Sequence, residues 1–413
     1  MTLIRAFTGL RPVSERAKDV AAPPYDVLNS QEARQRVKGR QWSFLHISKP
    51  EIDLAEGTNP YTDEVYAKGA ENLQRMIDAQ VLARDEKPSY YFYRLKMGEH
   101  IQTGLVAAAS VVDYDSNRIR KHEFTRPDKE DDRVRNIDAL NTQTGPVFLT
   151  YKHSDSVDAI TAQVTSAKPD VDITADDGVQ HTLWSVSDEK IVEQLTLIFD
   201  SMDCLYIADG HHRSAAASRI AAKRKSENAT HTGNESYNYF LSVIFPDNQM
   251  MILDYNRVIT DLNGLDAATL VKKVAEKFTV TKSQSAFKPN ANGEFGMYVD
   301  GQWYKLEINP ELIPSNDPVA SLDVSLLTDN LIDPLLGISD LRRDKRIDFV
   351  GGIRGLAELE KRVDSGEMAV AFALYATRID QLMDVADSGN VMPPKSTWFE
   401  PKLADGLVSH ALD

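Results

Sequence analysis

The sequence predicts an α+β fold, in which strand-like and helical segments follow one another without an internal repeat. A short apolar run at 205–208 leads into a segment at 214–223 that is rich in strong helix formers. Two alternating runs flank the Asp-Gly pair at 300–301, which is the composition of a type I′ hairpin turn. Apolar residues recur at helical spacing in 59–79 and 262–278, which predicts two amphipathic helices.

Length and composition limit the class of protein. A chain of 413 residues can bury a substantial core and, by its length, can hold two or three domains. The 62 acidic side chains outnumber the 47 Lys and Arg and give a net charge of −15, which argues against a general nucleic-acid-binding surface. A small anionic ligand remains compatible, because it requires only one local positive pocket.

Targeting signals are not evident from the sequence. Cys204 is the only cysteine, so the chain cannot form an internal disulfide. The first residues lack the long apolar stretch of a signal peptide, and no run approaches transmembrane length. We therefore expect a cytoplasmic protein with no membrane partner, and the sequence leaves its oligomeric state open.

The N-terminal part alternates extended and helical segments. Two prolines keep 20–28 extended, so that Tyr25 and Asp26 would project from a stiff loop, although a simple connector explains the same pattern. The run 43–51 alternates like a strand that ends at Pro50. Strands at 90–95 and 101–114 form a predicted hairpin.

The segment 121–135 is highly charged, and most of it fits a solvated face. Glu123 stands out, because it falls where a short extended piece gives way to a loop, a common position for a site residue. Asp128 can start a helix that continues through Asn141.

The pentapeptide 209–213, Asp-Gly-His-His-Arg, joins the strand at 205–208 to the following helix. Gly210 permits a left-handed backbone and a close ligand. The free N–H groups of the helix start, together with the planar fork of Arg213, describe an anion cradle. A helix start in which Asp209 only caps free N–H groups, with both histidines on the surface, explains the local sequence equally well.

The C-terminal part contains a further candidate loop. The segment 319–336 is predicted to be mostly helical with a break near Pro334, and 347–352 reads as a strand entering a glycine turn. The segment 391–402 contains three prolines and two aromatic residues, which favours an ordered covering loop. It presents Lys395, Ser396 and Thr397, which we take as candidate substrate or lid residues.

Several blocks together resemble family 1015 of the domains of unknown function over essentially the whole chain. The blocks lie at 23–27, 44–47, 121–123, 209–213, 350–352 and 392–402. The turn at 209–213 also resembles the phosphate-binding turn of the ParB/sulfiredoxin-like superfamily. Within that superfamily it is most similar to the free-serine kinase branch, in which an upstream His-Glu supplies a base.

This resemblance implies a fold, a division of the chain and an activity. It implies a mixed-sheet ParB/sulfiredoxin-like core with insertions at 1–255 and an α+β domain at 256–413, whose loop 391–402 returns to the site. It further implies a magnesium-assisted kinase that transfers phosphate from ATP or ADP to a small metabolite, by resemblance free L-serine. The implied catalytic residues are His122, Glu123 and Asp209, and the implied phosphate-binding residues are Gly210, His211, His212 and Arg213.

Two other classes of function remain open at this point. A metal-dependent phosphatase or nucleotide hydrolase would also use His, Asp and an upstream carboxylate. However, His211 and His212 are consecutive at a helix start and point in different directions, which disfavours chelation of one ion. A nucleotide-binding regulator without turnover is the other alternative, because a fold does not determine function. The residues that would bind a metal cannot be assigned from the sequence.

Overall fold

The computed structural model describes residues 2–412, which divide into two compact units. The first unit runs up to Met250 and resumes at Pro401, and the second is Met251–Glu400. The predicted division lay between residues 255 and 256 and left the C-terminal residues in the second domain. In the structure the chain from Pro401 onward instead packs with the first unit, because its backbone pairs with residues of that unit.

Strands account for the sheets of both units. Their bounds are β1 Ile4–Arg5, β2 Leu10–Pro12, β3 Leu82–Arg84, β4 Tyr90–Met97, β5 His100–Ser110, β6 Ile119–Arg120, β7 Thr142–Gln143, β8 Val147–Tyr151, β9 Val171–Thr174, β10 Gln180–Val186, β11 Leu205–Asp209, β12 Tyr239–Pro246, β13 Met251–Leu253, β14 Tyr255–Ile259, β15 Phe278–Ser283, β16 Glu294–Val299, β17 Gln302–Ile308, β18 Ile347–Gly351, β19 Val370–Leu374, β20 Trp398–Glu400 and β21 His410–Ala411.

Helices cover or connect these strands. Their bounds are α1 Ala17–Val20, α2 Ser30–Arg36, α3 Leu45–Ser48, α4 Asp63–Asp78, α5 Val111–Asp115, α6 Pro127–Leu140, α7 Asp155–Thr165, α8 Glu189–Asp200, α9 His211–Glu227, α10 Ala267–Val274, α11 Asp323–Leu327, α12 Asp333–Leu336, α13 Leu356–Asp364 and α14 Ile379–Asp387.

The first unit is built on a mixed sheet. Among the described residues it has nine strands in the order β6-β11-β8-β12-β5-β4-β10-β9, with β1 paired to β5. The pairs β6–β11 and β8–β12 are parallel, and the other pairs are antiparallel. The α+β class and the mixed sheet are therefore confirmed.

The topology brings several chain segments to one edge of this sheet. Because β6 and β11 run in parallel with Arg120 opposite Tyr206, the residues that follow both strands emerge at the same edge. Since β8 is antiparallel to β11, its start lies at that edge too. Helix α9 begins there and packs against α6 and α5, with Ala216 and Ile220 buried against Ile137.

Residues 401–412 form a C-terminal strap across the first unit. Strand β21 pairs with β7, Ser409 bridges to Leu10, and Asp405 bridges to Ala22. The backbone N–H of Ala404 donates to the hydroxyl of Tyr93 at 3.2 Å. This strap places Lys402 and Asp405 beside the start of α9, where they act electrostatically on Asp26 and on Arg213.

The second unit contains an antiparallel sheet. Within the described chain its six strands follow the order β15-β17-β16-β19-β14-β18, and β13 pairs separately with β20. The hairpin predicted at 300–301 is confirmed, because Val299 pairs with Gln302 and both turn residues have positive φ angles, 49° for Asp300 and 70° for Gly301. A π-helical turn, Thr328–Ile332, joins α11 to α12 within the segment predicted to be helical.

The predicted strand at 43–51 is wrong. The chain there forms α3 and then a 3-10 helix, Pro50–Asp53. Phe44, Leu45 and Ile47 are all buried against a layer that includes Leu73 and Met76 of α4. A short apolar run fits a strand or a helix equally well by period, and here burial on more than one side selected the helix.

Across residues 2–412, no helix is both long enough and apolar enough to cross a lipid bilayer.

Candidate functional site

The turn between β11 and α9 requires glycine at position 210. Gly210 has φ +95° and ψ 26°, in the left-handed region. A Cβ atom there would lie 3.3 Å from the Cα of Val147 in β8. The backbone N–H of Gly210 donates to Oδ1 of Asp209 at 2.7 Å. The turn is thus tight, and the absence of a side chain lets it lie directly against the neighbouring strand.

The start of α9 is not capped by a side chain. The N–H groups of Arg213 and Ser214 both donate to the carbonyl of Gly210, at 2.9 and 3.1 Å. The N–H groups of His211 and His212 precede these and have no intrahelical acceptor, because the first turn of any helix lacks one. A helix of 17 residues adds the positive end of its dipole at the same point. The arrangement suits an anion.

The three side chains that open α9 point in three directions. His211 faces His122 and Glu123. Nε2 of His212 accepts from the backbone N–H of Arg126 at 3.0 Å. Arg213 reaches the other side of the turn. The predicted site residues therefore fall into one group around His211 and a second group around Arg213.

The first group joins two buried imidazoles to an exposed carboxylate. The rings of His122 and His211 meet edge to face with centroids 4.5 Å apart. Nδ1 of His211 lies 3.7 Å from Oε2 of Glu123, whose side chain is 52% exposed. The backbone N–H of His122 donates to Nε2 of His211 over a long 3.4 Å. His211 therefore carries its proton on Nδ1, directed towards Glu123.

Burial keeps both imidazoles neutral. It lowers the pKa of His122 to about 4, although the backbone of Ile207 and the charge of Asp209 favour protonation. The pKa of His211 is lowered further below its usual value, by burial and then by the neighbouring His122 and His212. Nδ1 of His122 is buried and has no hydrogen-bond partner within residues 2–412. It is a buried polar atom that the described part of the protein leaves without a partner.

The second group centres on Arg213, whose side chain is only 11% exposed. Its Nη1 donates to the carbonyl of Pro146 at 2.7 Å, and Nη2 donates to Oδ2 of Asp26 at 3.0 Å. Burial opposes ionisation of Asp26, but Arg213 and Lys402 outweigh it and lower the pKa of this carboxyl. Asp26 lies with Tyr25 in a 3-10 turn, Tyr25–Val27, rather than in an open loop.

Arg133 and Asp405 complete the second group, and neither is a candidate site residue by its sequence context. The guanidinium carbon of Arg133 lies 3.9 Å from the ring centroid of Tyr25, and that of Arg213 lies 5.6 Å from it. Asp405 is 2% exposed and faces Arg213. Arg133 was visible in the sequence only as one charge among many, and no local pattern marks Asp405.

Lys395, Ser396 and Thr397 lie in the second unit, within the loop between α14 and β20. Lys395 has φ +58°, and its Nζ lies 5.7 Å from the ring centroid of Tyr255. Oγ of Ser396 donates to the carbonyl of Pro393 at 2.7 Å, and the carbonyl of Ser396 accepts from Thr377. The loop is ordered within its own unit, as predicted from its composition. Its part in the site stays a prediction.

The sequence matches the model of the family described as "Protein of unknown function (DUF1015)" over residues 4–325. The match covers most of the chain, so this protein belongs to that family, whereas the blocks at 350–352 and 392–402 lie outside the matched residues. No curated protein matches the sequence.

Solved structures provide weak similarities. A free serine kinase in complex with AMP is 12% identical, covering 71% of this chain and 86% of its own, with a TM-score of 0.35. SbnI with a C-terminal truncation from Staphylococcus aureus is 11% identical, covering 73% and 86%, with a TM-score of 0.38. A conserved hypothetical protein from Pyrococcus furiosus is 14% identical, covering 73% and 94%, with a TM-score of 0.35. All three TM-scores lie below 0.5, which is too low to establish a common fold.

Proposed function

We propose that the first unit binds the phosphates of ATP or ADP at the start of α9 and transfers a phosphoryl group to the hydroxyl of a small metabolite. The observation that carries this proposal is the uncapped N-terminus of α9 beside two buried neutral histidines and one exposed carboxylate. Phosphoryl transfer needs a phosphate cradle, neutralisation of charge and a base near the acceptor hydroxyl. The group around His211 offers the first and the third.

In this proposal His211 and His212 act as neutral hydrogen-bond donors. Because Nε2 of His212 accepts from Arg126, its proton is on Nδ1, which can donate to a phosphate oxygen. His211 directs its Nδ1 proton towards Glu123 and so positions the carboxylate. His122 lies behind His211, and because its other ring nitrogen donates to the backbone of Ile207, its unpartnered Nδ1 is an acceptor. Arg213 adds positive charge beside the cradle while its fork is held by Asp26 and Pro146.

Glu123 is the proposed base, and Asp209 is proposed to orient the acceptor hydroxyl or to bind the metal. Mg²⁺ at nucleotide sites is generally held by one or two carboxylates together with substrate phosphates, and it neutralises phosphate charge. Asp209 lies at the turn and can supply one such carboxylate. Within the described chain, no group of three or more His, Cys, Asp or Glu side chains could hold a metal without a substrate.

The acceptor proposed from the sequence resemblance is free L-serine, and the fold proposed for the core remains ParB/sulfiredoxin-like. The exposed carboxylate of Glu123 beside His211 leaves room for a hydroxyl acceptor. A panel of free hydroxylated metabolites, with L-serine among them, therefore tests the activity. The readout is acceptor-dependent consumption of ATP or ADP together with formation of the phosphorylated acceptor.

The Glu123→Gln variant tests the base. This change keeps the shape of the side chain and removes its charge, so we expect the transfer rate to fall by about 10²–10⁴-fold. The nucleotide dissociation constant should change little, because Glu123 is not part of the cradle. Glu99→Gln is the matched control, since Glu99 is exposed at the tip of the β4–β5 hairpin.

The other two classes of function give different results in the same assay. Nucleotide consumption that does not require an acceptor would identify a hydrolase. Nucleotide binding without consumption of any donor would identify a regulator. Near-normal transfer by Glu123→Gln would exclude Glu123 as the base and leave Asp209 as the candidate.

A further inference from the structure

A small pocket lined by both polar and apolar side chains lies beside Arg213. It is lined by Arg133, Asn136, Thr144, Gly145, Arg213 and Asp405, among other residues. The centre of a water-sized group can occupy about 20 Å³ within it. That space holds one end group of a ligand, because a single water needs about 10–15 Å³ by the same measure. The remainder of any ligand would have to extend out of the pocket.

Two buried guanidinium groups converge on this pocket. The side chains of Arg133 and Arg213 are 12% and 11% exposed, and both lie against the ring of Tyr25. Arg133 donates through Nε and Nη2 to Oδ2 of Asp132, at 3.0 and 2.7 Å. No hydrogen bond of its Nη1 is present among the described residues. Two like charges held close together in a buried position are costly unless anions compensate them.

Two aspartates form ion pairs with the two arginines, and a third carboxyl group lies nearby whose charge depends on pH. Asp132 pairs with Arg133 at 2.7 Å, and Asp26 pairs with Arg213 at 3.0 Å. Asp405 is the third carboxyl. Burial raises its pKa to about 7, with Asp26 also raising it and the two arginines opposing the shift. Asp405 is therefore readily protonated near neutral pH, and Asp132 and Asp26 then balance the two arginines, so that the cluster carries no net charge.

We propose that this pocket binds the carboxylate of a small ligand between the guanidinium groups of Arg133 and Arg213. A carboxylate is planar and carries one negative charge, so it matches the available volume and replaces the charge that Asp405 loses when it is protonated. A phosphate group is bulkier and carries more charge than the pocket can balance. Asn136 and Thr144 are buried, line the same space and offer neutral hydrogen-bond donors.

Ligand binding should be coupled to proton uptake by Asp405. The ionisable groups facing Asp405 are Arg213, Arg133, Asp26 and the phenol of Tyr93. A bound carboxylate adds a negative charge beside Asp405 and raises its pKa further. Affinity should therefore be constant well below pH 7 and fall as the pH rises above 7, by up to about tenfold per pH unit.

This proposal concerns binding and stands whether or not phosphoryl transfer is confirmed. If transfer is confirmed, the acceptor carries a carboxylate, and the pocket discriminates hydroxy acids and amino acids from uncharged alcohols. Loss of binding with transfer intact would reject the pocket alone. Binding without transfer would reject the proposed activity alone.

Isothermal titration of the full chain at pH 6 and pH 8 tests the proposal. The probes are acetate and glycolate, with acetamide as the uncharged isostere and inorganic phosphate as the competing anion. We expect both carboxylates to bind more tightly at pH 6, with proton uptake near pH 7 when two buffers of different ionisation enthalpy are compared. Equal affinities at the two pH values, equal binding of acetamide, or tighter binding of phosphate would overturn the proposal.

Two variants localise the binding. In Gly145→Ala the new Cβ would lie 3.5 Å from Cδ of Arg213 and 3.7 Å from Oδ1 of Asp405, which are ordinary contacts. The variant should therefore fold, fill the pocket and lose carboxylate binding. Asp405→Asn should bind equally at both pH values, as tightly as the native protein at pH 6. Asp300→Asn is the control, because this exposed hairpin residue already has the positive φ that Asn tolerates.

If the Gly145→Ala variant has a normal melting temperature and still binds carboxylates, the binding site lies elsewhere. Asp405→Asn that keeps the native pH dependence would remove Asp405 from the coupling and overturn the proposed charge exchange.

Discussion

Neutral buried histidines at the start of α9 make the stability of the first unit depend on pH. Burial lowers the pKa of His122 from 6.5 to about 4 and lowers that of His211 as well. Between these values the unfolded chain binds protons that the folded chain does not. The stability gained from the depressed pKa is therefore present above pH 6.5 and is lost as the pH falls towards 4.

We predict that His122→Gln reduces the sensitivity of the protein to acid. For His122 alone, acidification to pH 5 should cost the native protein on the order of 2 kcal/mol of unfolding free energy. Urea denaturation at several pH values measures this term. His153→Gln is the control, since Asp158 raises the pKa of that exposed histidine and its contribution has the opposite sign. An unchanged pH profile for His122→Gln would contradict the prediction.

Individual site residues differ in how far the sequence could reveal them. Glu123 and the turn at 209–213 are short local patterns, and parallel pairing of β6 with β11 brings them to one sheet edge. Asp405 carries no local pattern. It reaches Arg213 only because the strap pairs with distant strands, and such pairing depends on the complete fold.

Secondary-structure elements show the same distinction between local and tertiary control. The β16–β17 hairpin follows from its Asp-Gly turn, because two adjacent positive φ angles are a local requirement. Helix α3 does not follow from its own sequence. Its apolar residues are buried against α4, and this packing overrides the alternating pattern that favours a strand.

At the junction of β11 and α9 we predict that Gly210→Ala destabilises the protein more than Gly98→Ala. Both glycines have positive φ, but a Cβ at position 98 would meet nothing within 4 Å. The Cβ at position 210 would also press on the backbone of Val147. We expect a difference of about 1–2 kcal/mol in unfolding free energy, measured by urea denaturation. Equal losses would mean that the turn can shift away from β8.

The strap depends on a buried hydroxyl in β4. The hydroxyl of Tyr93 forms a 2.6 Å hydrogen bond with Nδ1 of His181 and accepts from the N–H of Ala404. Tyr93→Phe leaves both partners unsatisfied, so we expect a loss of about 1–3 kcal/mol in unfolding free energy. Tyr304→Phe in the second unit is the control. A loss in Tyr93→Phe no larger than in the control would show that the strap is held by its other contacts.

At the scale of the whole molecule, the first unit is assembled from two separated stretches of chain. Removing all residues from Pro401 onward deletes β21 and Asp405, which pair with β7 and with Ala22. We predict faster amide hydrogen exchange in β7 and at the start of β8, with the β16–β17 hairpin as the internal reference. Unchanged protection in β7 would show that the first unit does not need the strap.

The antiparallel pairing of β13 with β20 has a practical consequence for this divided chain. Met251 pairs directly with Glu400, so the first and last residues of the second unit lie about 5 Å apart. A linker of a few glycine and serine residues would span that gap between Met250 and Pro401. Such a shortened protein would show whether the first unit binds phosphate and carboxylate without residues 251–400. Those residues could then be replaced by a different domain.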